Sequence, residues 1–246
     1  MKREPRIIYQ DRNLLVIDKP PDLIVLTERA TEKKTLKDWL LEQFPFLKDV
    51  GPQNRCGIVH RLDKETSGIV LIAKNKKTFD FLQKEFKERK VIKKYLALVV
   101  GKIKAKEGKI ETLIGRDPNN GRKQRVFLLF GPEAKKKGKR KAKTCYKTLK
   151  LFSDKENNYT LLEVLPETGR KHQIRVHLAF LGHPIAGDNL YNFKNQPCPK
   201  GLKRQFLHAS YLKVKGPEGQ EKEFKSKLAK DLKNILKNLK EISYGN

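Results

Sequence analysis

The stretch from Gly57 to Asn75 reads GIVHRLDKETSGIVLIAKN, and its two halves have opposite character. The second half holds Ile69-Val70-Leu71-Ile72-Ala73, a short apolar run rich in β-branched residues. Such a run, bounded by turn residues, predicts a buried strand. The first half, His60-Arg61-Leu62-Asp63-Lys64-Glu65-Thr66-Ser67-Gly68, is polar and dense in charge. A firm strand is therefore expected to carry a charged loop centred on one carboxylate, Asp63. Functional residues favour loops held by a rigid scaffold. An ordinary turn, with Asp and Ser bonding their own backbone ahead of Gly68, accounts for the same residues equally well.

Upstream, Ile7-Ile8-Tyr9 and Leu14-Leu15-Val16-Ile17 read as two short strands, and Lys19-Pro20-Pro21-Asp22 breaks the pattern. Thr35 and Asp38 form a capping-box pair ahead of a helix carrying Leu36, Trp39, Leu40 and Phe44. Asn75 is placed to cap a second helix with Phe79, Leu82 and Phe86 on one face. From Lys94 onward the pattern turns to strands: 95–100, 110–114, 124–130, 144–152 and 159–165. Between two of them lies GPEAKKKGKRKAK, Gly131 to Lys143, read as a basic insertion. Ile174, Leu178 and Leu181 predict a short helix, a strand is expected from Gln205 to Val214, and an amphipathic helix from about 226 to 243. The simplest architecture is one α+β domain over 1–246, a mixed and mainly antiparallel central sheet flanked by helices and loops.

The chain has 246 residues, with 56 Lys and Arg against 28 Asp and Glu, a formal charge of +28. An excess of that size costs stability through self-repulsion and is best explained by a polyanionic partner. The basic residues are spread along the chain, which favours nucleic acid over a membrane surface. A ribosomal or histone-like protein fits the charge as well as an enzyme does. Cys56, Cys145 and Cys198 form neither a disulfide framework nor a zinc pattern. The first residues, MKREPRIIYQDR, lack the apolar segment of a signal peptide, and no apolar run approaches membrane-spanning length. A cytoplasmic location is expected.

Several chemistries lack their residues. There is no phosphate-binding GxxxxGK[ST] loop, no GxGxxG after a strand and no GxSxG elbow. The five histidines are scattered without metal-ligand spacing, so no metal is expected. What remains is the Asp63 loop and a second polar cluster, Thr168-Gly169-Arg170-Lys171-His172-Gln173-Ile174-Arg175-Val176-His177, entering a predicted helix. Backbone N–H groups and cations at such a start favour anions, and a solvated basic helix end explains them too.

Here the residues resemble a known family. His60-Arg61-Leu62-Asp63-Lys64-Glu65-Thr66-Ser67-Gly68 is similar to the HRLDxxTSG signature of RluA-type pseudouridine synthases. In the family's order come Asp18-Lys19-Pro20, then Lys94-Tyr95-Leu96-Ala97, then the Thr168 to His177 cluster. Gly182-His183-Pro184-Ile185 with Gly187-Asp188 and Tyr191 follows, and Leu207-His208-Ala209 closes the series. The likeness covers nearly the whole chain, and its specificity lies in the ordered set. Asp22, Leu26 and Lys171 depart from the residues usual at their places, none of them a catalytic position. Many relatives carry a small RNA-binding domain in front; this chain is expected to be a stand-alone catalytic domain without one.

The resemblance implies an isomerase that converts uridine to pseudouridine in rRNA or tRNA, acting as a monomer with no cofactor. Asp63 matches the catalytic aspartate, which either attacks the ribose anomeric carbon or removes the 2′ proton. Arg175 matches its arginine partner, and Tyr95 the tyrosine set against the uracil. Arg61 matches the arginine that displaces the target base, a step required because a stacked base hides its glycosidic bond. Arg170, Lys171 and His172 are expected to contact RNA, with Leu207 beneath the flipped base. The competing class is a basic RNA-binding or ribosome-assembly protein without chemistry.

Overall fold

The computed structural model describes residues 4–27, 34–52, 55–131, 134 and 137–243. In chain order the elements are β1 (Arg6–Gln10), β2 (Leu14–Lys19), α1 (Leu36–Gln43), a 3-10 turn (Pro45–Asp49), β3 (Ser67–Ala73), α2 (Lys76–Lys87), β4 (Ile92–Val100), β5 (Glu107–Arg116) and β6 (Gln124–Phe127). Then come β7 (Arg140–Ser153), β8 (Asn158–Pro166), α3 (Gln173–Phe180), β9 (Leu207–Lys215), β10 (Glu221–Lys225), α4 (Lys230–Asn238) and β11 (Lys240–Ile242). The chain divides into two compact units, the first comprising Met1–Lys93 and His208–Ala229, the second Lys94–Leu207 and Lys230–Asn246.

In the first unit the strands run β1-β2-β3-β9-β10. All neighbours are antiparallel except β3 and β9, which meet in parallel at Ser67 opposite His208 and Gly68 opposite Ala209. Every residue of β3 is buried, and Leu14 to Ile17 of β2 are at most 1% exposed. Fully burying each such aliphatic side chain contributes roughly 1.5–3 kcal/mol, so this β2–β3 pair is the firm base of the unit. Helix α1 opens as its sequence predicts. The Asp38 N–H donates to Thr35 Oγ1 and the Thr35 N–H donates to Asp38 Oδ2. Asn75 caps α2 by accepting from the Thr78 N–H at 2.9 Å, and Phe79 and Leu82 are its buried face.

Gly68 is a point where only glycine fits. Its φ is +112°, and a Cβ there would lie 2.2 Å from the carbonyl oxygen of Ala209. Both the backbone conformation and the backbone-to-backbone approach exclude a side chain.

The second unit is an antiparallel sheet in the order β4-β8-β7-β5-β6, with β11 on the far end of β7. Expected boundaries change here, and the strand expected over 124–130 ends at Phe127. Strand β7 begins at Arg140 rather than Thr144, because Arg140 to Lys143 pair with Ile114 to Glu111 of β5. The basic insertion therefore ends at Lys139, and Pro132, Glu133, Lys135 and Lys136 lie outside the described residues.

The helix expected over 226–243 is only Lys230–Asn238. Ser226 bonds the backbone of Ser210 beside β9, and Lys240–Ile242 pair with Ser153–Leu151. Backbone pairing with sheet neighbours thus overrides the helical spacing of Leu239 and Ile242. Strand β10, unforeseen, carries the alternating segment Glu221 to Lys225 with Phe224 as its buried residue.

Candidate active site

The Asp63 loop belongs to the first unit. Leu62 is 4% exposed and roots the loop in the core, Arg61 is exposed and Asp63 half-buried. The Asp63 carbonyl accepts the Thr66 N–H at 3.1 Å. The main chain is thus a turn, closed by the Asp63 carbonyl rather than by the Asp and Ser side chains of the plainer expectation.

Three further fastenings hold it. Lys19, 0% exposed, donates its ammonium to the carbonyls of Pro20 (2.8 Å), Leu23 (2.9 Å) and Lys64 (3.0 Å). The last residue of β2 thereby ties the neighbour of Asp63 to the Lys-Pro turn. His60 Nε2 accepts the Leu71 N–H at 2.9 Å while its ring stacks on Phe86. Burial, reinforced by the nearby Lys93 charge, pushes the His60 pKa down to about 3. It is a neutral structural imidazole, and nothing in its geometry assigns it proton transfer. Behind the loop, Ser67 Oγ and His208 Nδ1 lie 3.0 Å apart, joining two of the family motifs at the parallel contact.

In the second unit the polar cluster splits into an inward and an outward set. Arg175, on α3, forks onto Asp188, Nε to Oδ2 at 2.7 Å and Nη2 to Oδ1 at 2.9 Å. Asp188 Oδ1 also accepts the N–H groups of Leu190 and Tyr191. Its side chain is 0% exposed. Burial pushes the Asp188 pKa up, and the Arg175 bonds and charge with the two N–H donors outweigh it, so the carboxyl lies below its usual range. The guanidinium also lies 5.2 Å from the centroid of the Tyr191 ring. In the sequence Asp188 stands within a motif and carries no sign of its role, because its partner stands thirteen residues earlier.

Thr168, Gln173 and His177 are scaffold. Thr168 Oγ1 accepts the Lys143 N–H and donates to Gln173 Oε1, which also accepts the Arg170 N–H. Gln173 Nε2 donates to Lys143 O and Thr144 Oγ1. His177 lies between Thr144 Oγ1 (2.8 Å) and Thr112 Oγ1 (3.0 Å). One polar chain thus fastens α3 to β5 and β7, leaving no member of it unsatisfied.

His172 sits at φ 55° as the N-cap of α3, its Nδ1 2.8 Å from the Tyr191 hydroxyl, which accepts the Gln124 N–H. Arg170 Nε donates to Lys141 O, and Lys171 is exposed. Tyr95 is half-buried on β4 opposite Val164, whereas Ala97 to Val100 beyond it are buried. Leu207, 4% exposed, begins β9. Arg61 and Asp63 therefore share one loop, and Arg170, Lys171, His172 and Arg175 share the start of α3. Among the described residues no group of three His, Cys, Asp or Glu could hold a metal ion, and no helix is long and apolar enough to cross a membrane.

The RNA pseudouridylate synthase family model matches residues 13–180. The chain belongs to this family. A Helicobacter pylori protein named as an uncharacterised RNA pseudouridine synthase is 38% identical over 95% of this chain and 69% of its own length. Ribosomal large subunit pseudouridine synthase D of Nitrosomonas europaea is 36% identical over 97% of this chain and 66% of its own. Among solved structures, human RNA pseudouridylate synthase domain containing 4 superposes with a TM-score of 0.74 at 28% identity, over 95% of this chain and 93% of that one. The α+β pseudouridine synthase fold and the isomerase class read from the sequence both stand.

For a pseudouridine synthase that must hold α3 in place, His177 sets an acid limit. It is 0% exposed, and burial pushes its pKa down to about 4. The folded value lies below the unfolded value of roughly 6.5, so the native state binds fewer protons. Stability from this group is complete above about pH 6.5 and drains away as pH falls toward 4, reaching a loss of about 2 kcal/mol by pH 5. Urea unfolding followed by far-UV circular dichroism is expected to give a flatter stability profile between pH 7 and 4.5 for His177→Gln than for wild type. Parallel profiles exclude His177 as the cause.

Proposed function

We propose that this pseudouridine synthase starts uridine isomerisation with the carboxylate of Asp63. The supporting observation is a half-buried aspartate displayed at the end of a wholly buried strand, on a loop fastened by Lys19, His60 and the Ser67–His208 contact. An ionised carboxylate can serve as nucleophile at the anomeric carbon or as base at the 2′ position. In either route the bond between ribose carbon 1′ and uracil nitrogen 1 breaks, the uracil turns, and carbon 1′ bonds to carbon 5, which then gives up its proton while nitrogen 1 takes one up. Atoms and electrons balance without an oxidant or reductant. In this proposal Tyr95 faces the uracil and receives the carbon-5 proton, and Arg175 balances the Asp63 charge from its place beside Asp188. Arg61 takes the space of the displaced base, and Leu207 supports that base from below. In this reading the protein works as a single catalytic domain, a monomer in the cytoplasm.

For the substrate we propose large-subunit ribosomal RNA, the RNA carried in the name of the Nitrosomonas relative. Pseudouridine mapping of rRNA and tRNA from cells with and without the gene tests this. Loss of one or a few sites in large-subunit rRNA is the expected result. Loss confined to tRNA overturns the target and keeps the reaction, and an unchanged map in both RNAs favours a non-catalytic RNA-binding role.

The charge of +28 makes binding depend on salt through counterion release. Lys137, Arg140 and Lys141 are exposed at the start of β7 and just before it. Changing all three to Gln is expected to flatten the slope of log K against log salt by about 2, at roughly 0.7 for each phosphate no longer neutralised. An unchanged slope removes these residues from the RNA interface.

A further inference from the structure

Strand β6 runs out of the sheet into an exposed apolar tip. Leu128 is 66% and Phe130 87% exposed, although aromatic and aliphatic side chains of this size are normally covered. Their setting is strongly basic. From Gly121 to Lys143 the sequence has ten Lys or Arg and one Glu.

The ring just before the tip, Phe127, is buried to 8% and carries cations on its surface. Lys139 Nζ lies 3.8 Å and the Arg125 guanidinium 5.7 Å from its centroid. Gly115, opposite Arg125 on β5, makes room for this arrangement, since a Cβ there would press on Lys139 Cγ at 3.0 Å. The local sequence therefore gathers positive charge around one covered aromatic ring and leaves a second ring, Phe130, bare three residues on.

A bare aromatic among cations is unsuited to a duplex, whose bases are already stacked and whose exterior is phosphate. It suits an unpaired nucleotide, which offers a π-face to stack on and a phosphate to pair with. A second copy of this chain would bring the same positive field toward its own, so charge disfavours self-association through this face.

We propose that the β6 arm is a binding site for unpaired RNA, in which Phe130 stacks on a base while Arg125 and Lys139 hold its phosphates. The proposal rests on the pseudouridine synthase reading for the identity of the RNA and adds a contact outside the family motifs. Stacking is sequence-tolerant, so the arm contributes affinity for loops and single strands rather than a choice of base.

The test uses the full chain and two probes, a fluorescent unpaired 12-nucleotide RNA and the same RNA annealed to its complement. Phe130→Ala is expected to raise Kd for the unpaired probe about tenfold, to leave the duplex Kd unchanged, and to keep the salt slope. Phe130→Trp is expected to restore wild-type affinity, which a general loosening of the arm would not do. Equal affinity of wild type and Phe130→Ala for the unpaired probe overturns the proposal, as does failure of wild type to bind that probe. A wild-type dimer that Phe130→Ala converts to monomer overturns it in favour of self-association. Tritium release from RNA labelled at uracil carbon 5 is measured on the same preparations. Wild type that binds through Phe130 and releases no tritium supports the arm and overturns the catalytic reading instead.

Discussion

Asp63→Asn is expected to release tritium from uracil-5-labelled RNA at least about 10³-fold more slowly than wild type, with stability changed by less than about 1 kcal/mol. The two halves of that expectation have separate physical grounds. The turn at Asp63 is closed by its main-chain carbonyl and the Thr66 N–H, and the loop is fastened through Lys19, His60 and Ser67. Asparagine keeps the shape of aspartate and the main chain that closes the turn. What asparagine lacks is the charge and the nucleophilic or basic oxygen that starts the reaction. Rates within tenfold of wild type on total RNA would remove Asp63 from the chemistry. A large drop in the urea midpoint would show that the carboxylate holds the loop and would leave the rate loss without a chemical meaning.

The second large effect concerns the Arg175–Asp188 pair. Asp188→Ala is expected to cost about 3–5 kcal/mol, because it takes a carboxylate and two hydrogen bonds from a guanidinium whose side chain is only 9% exposed. It also leaves the Leu190 and Tyr191 N–H groups without their acceptor. Replacing both members, Arg175→Met with Asp188→Leu, removes the uncompensated charge and is expected to recover most of that stability. Activity separates the two possible meanings of the pair. If Arg175 serves Asp63 in the reaction, the double variant folds and stays inactive. If the pair only fixes the loop that follows α3, the recovered fold brings tritium release back to within about tenfold of wild type. Urea unfolding and tritium release on the same three proteins decide between these.

Much of the fold is legible in the chain itself. The run Ile69 to Ala73 could only be a buried strand, and it is one. The caps at Thr35 and Asn75 carry their own partners within three residues, so local chemistry is enough to place α1 and α2. The errors fall where a segment takes its conformation from a distant neighbour. Leu239 and Ile242 have helical spacing, yet their backbone pairs with or abuts β7, which no local pattern records. Glu221 to Lys225 has a single apolar residue, too little to announce a strand.

The site shows the same division. Asp63, Tyr95 and Arg175 are marked by residue type and family likeness. The residues that fasten the two site segments, Lys19, Asp188 and His177, each have at least one partner outside their own turn, Lys64, Arg175 and Thr112 respectively. A buried lysine capped by three carbonyls and an aspartate saturated by four donors look in sequence like any other charged residues.

The parallel meeting of β3 with β9 also bears on how the molecule is made. Ser67 and His208 are 141 residues apart, and the whole span from Lys94 to Leu207 is synthesised between them. While the ribosome makes that span, β3 lacks its β9 partner at Ser67 and Gly68, an open ladder position of the kind that recruits other chains. The first unit can close only once β9 and β10 have been made, and pairings of such long separation are slow to form. The charge that draws the finished protein to RNA has a second use in this interval, since a nascent chain rich in lysine repels its own copies while its sheet waits to be completed.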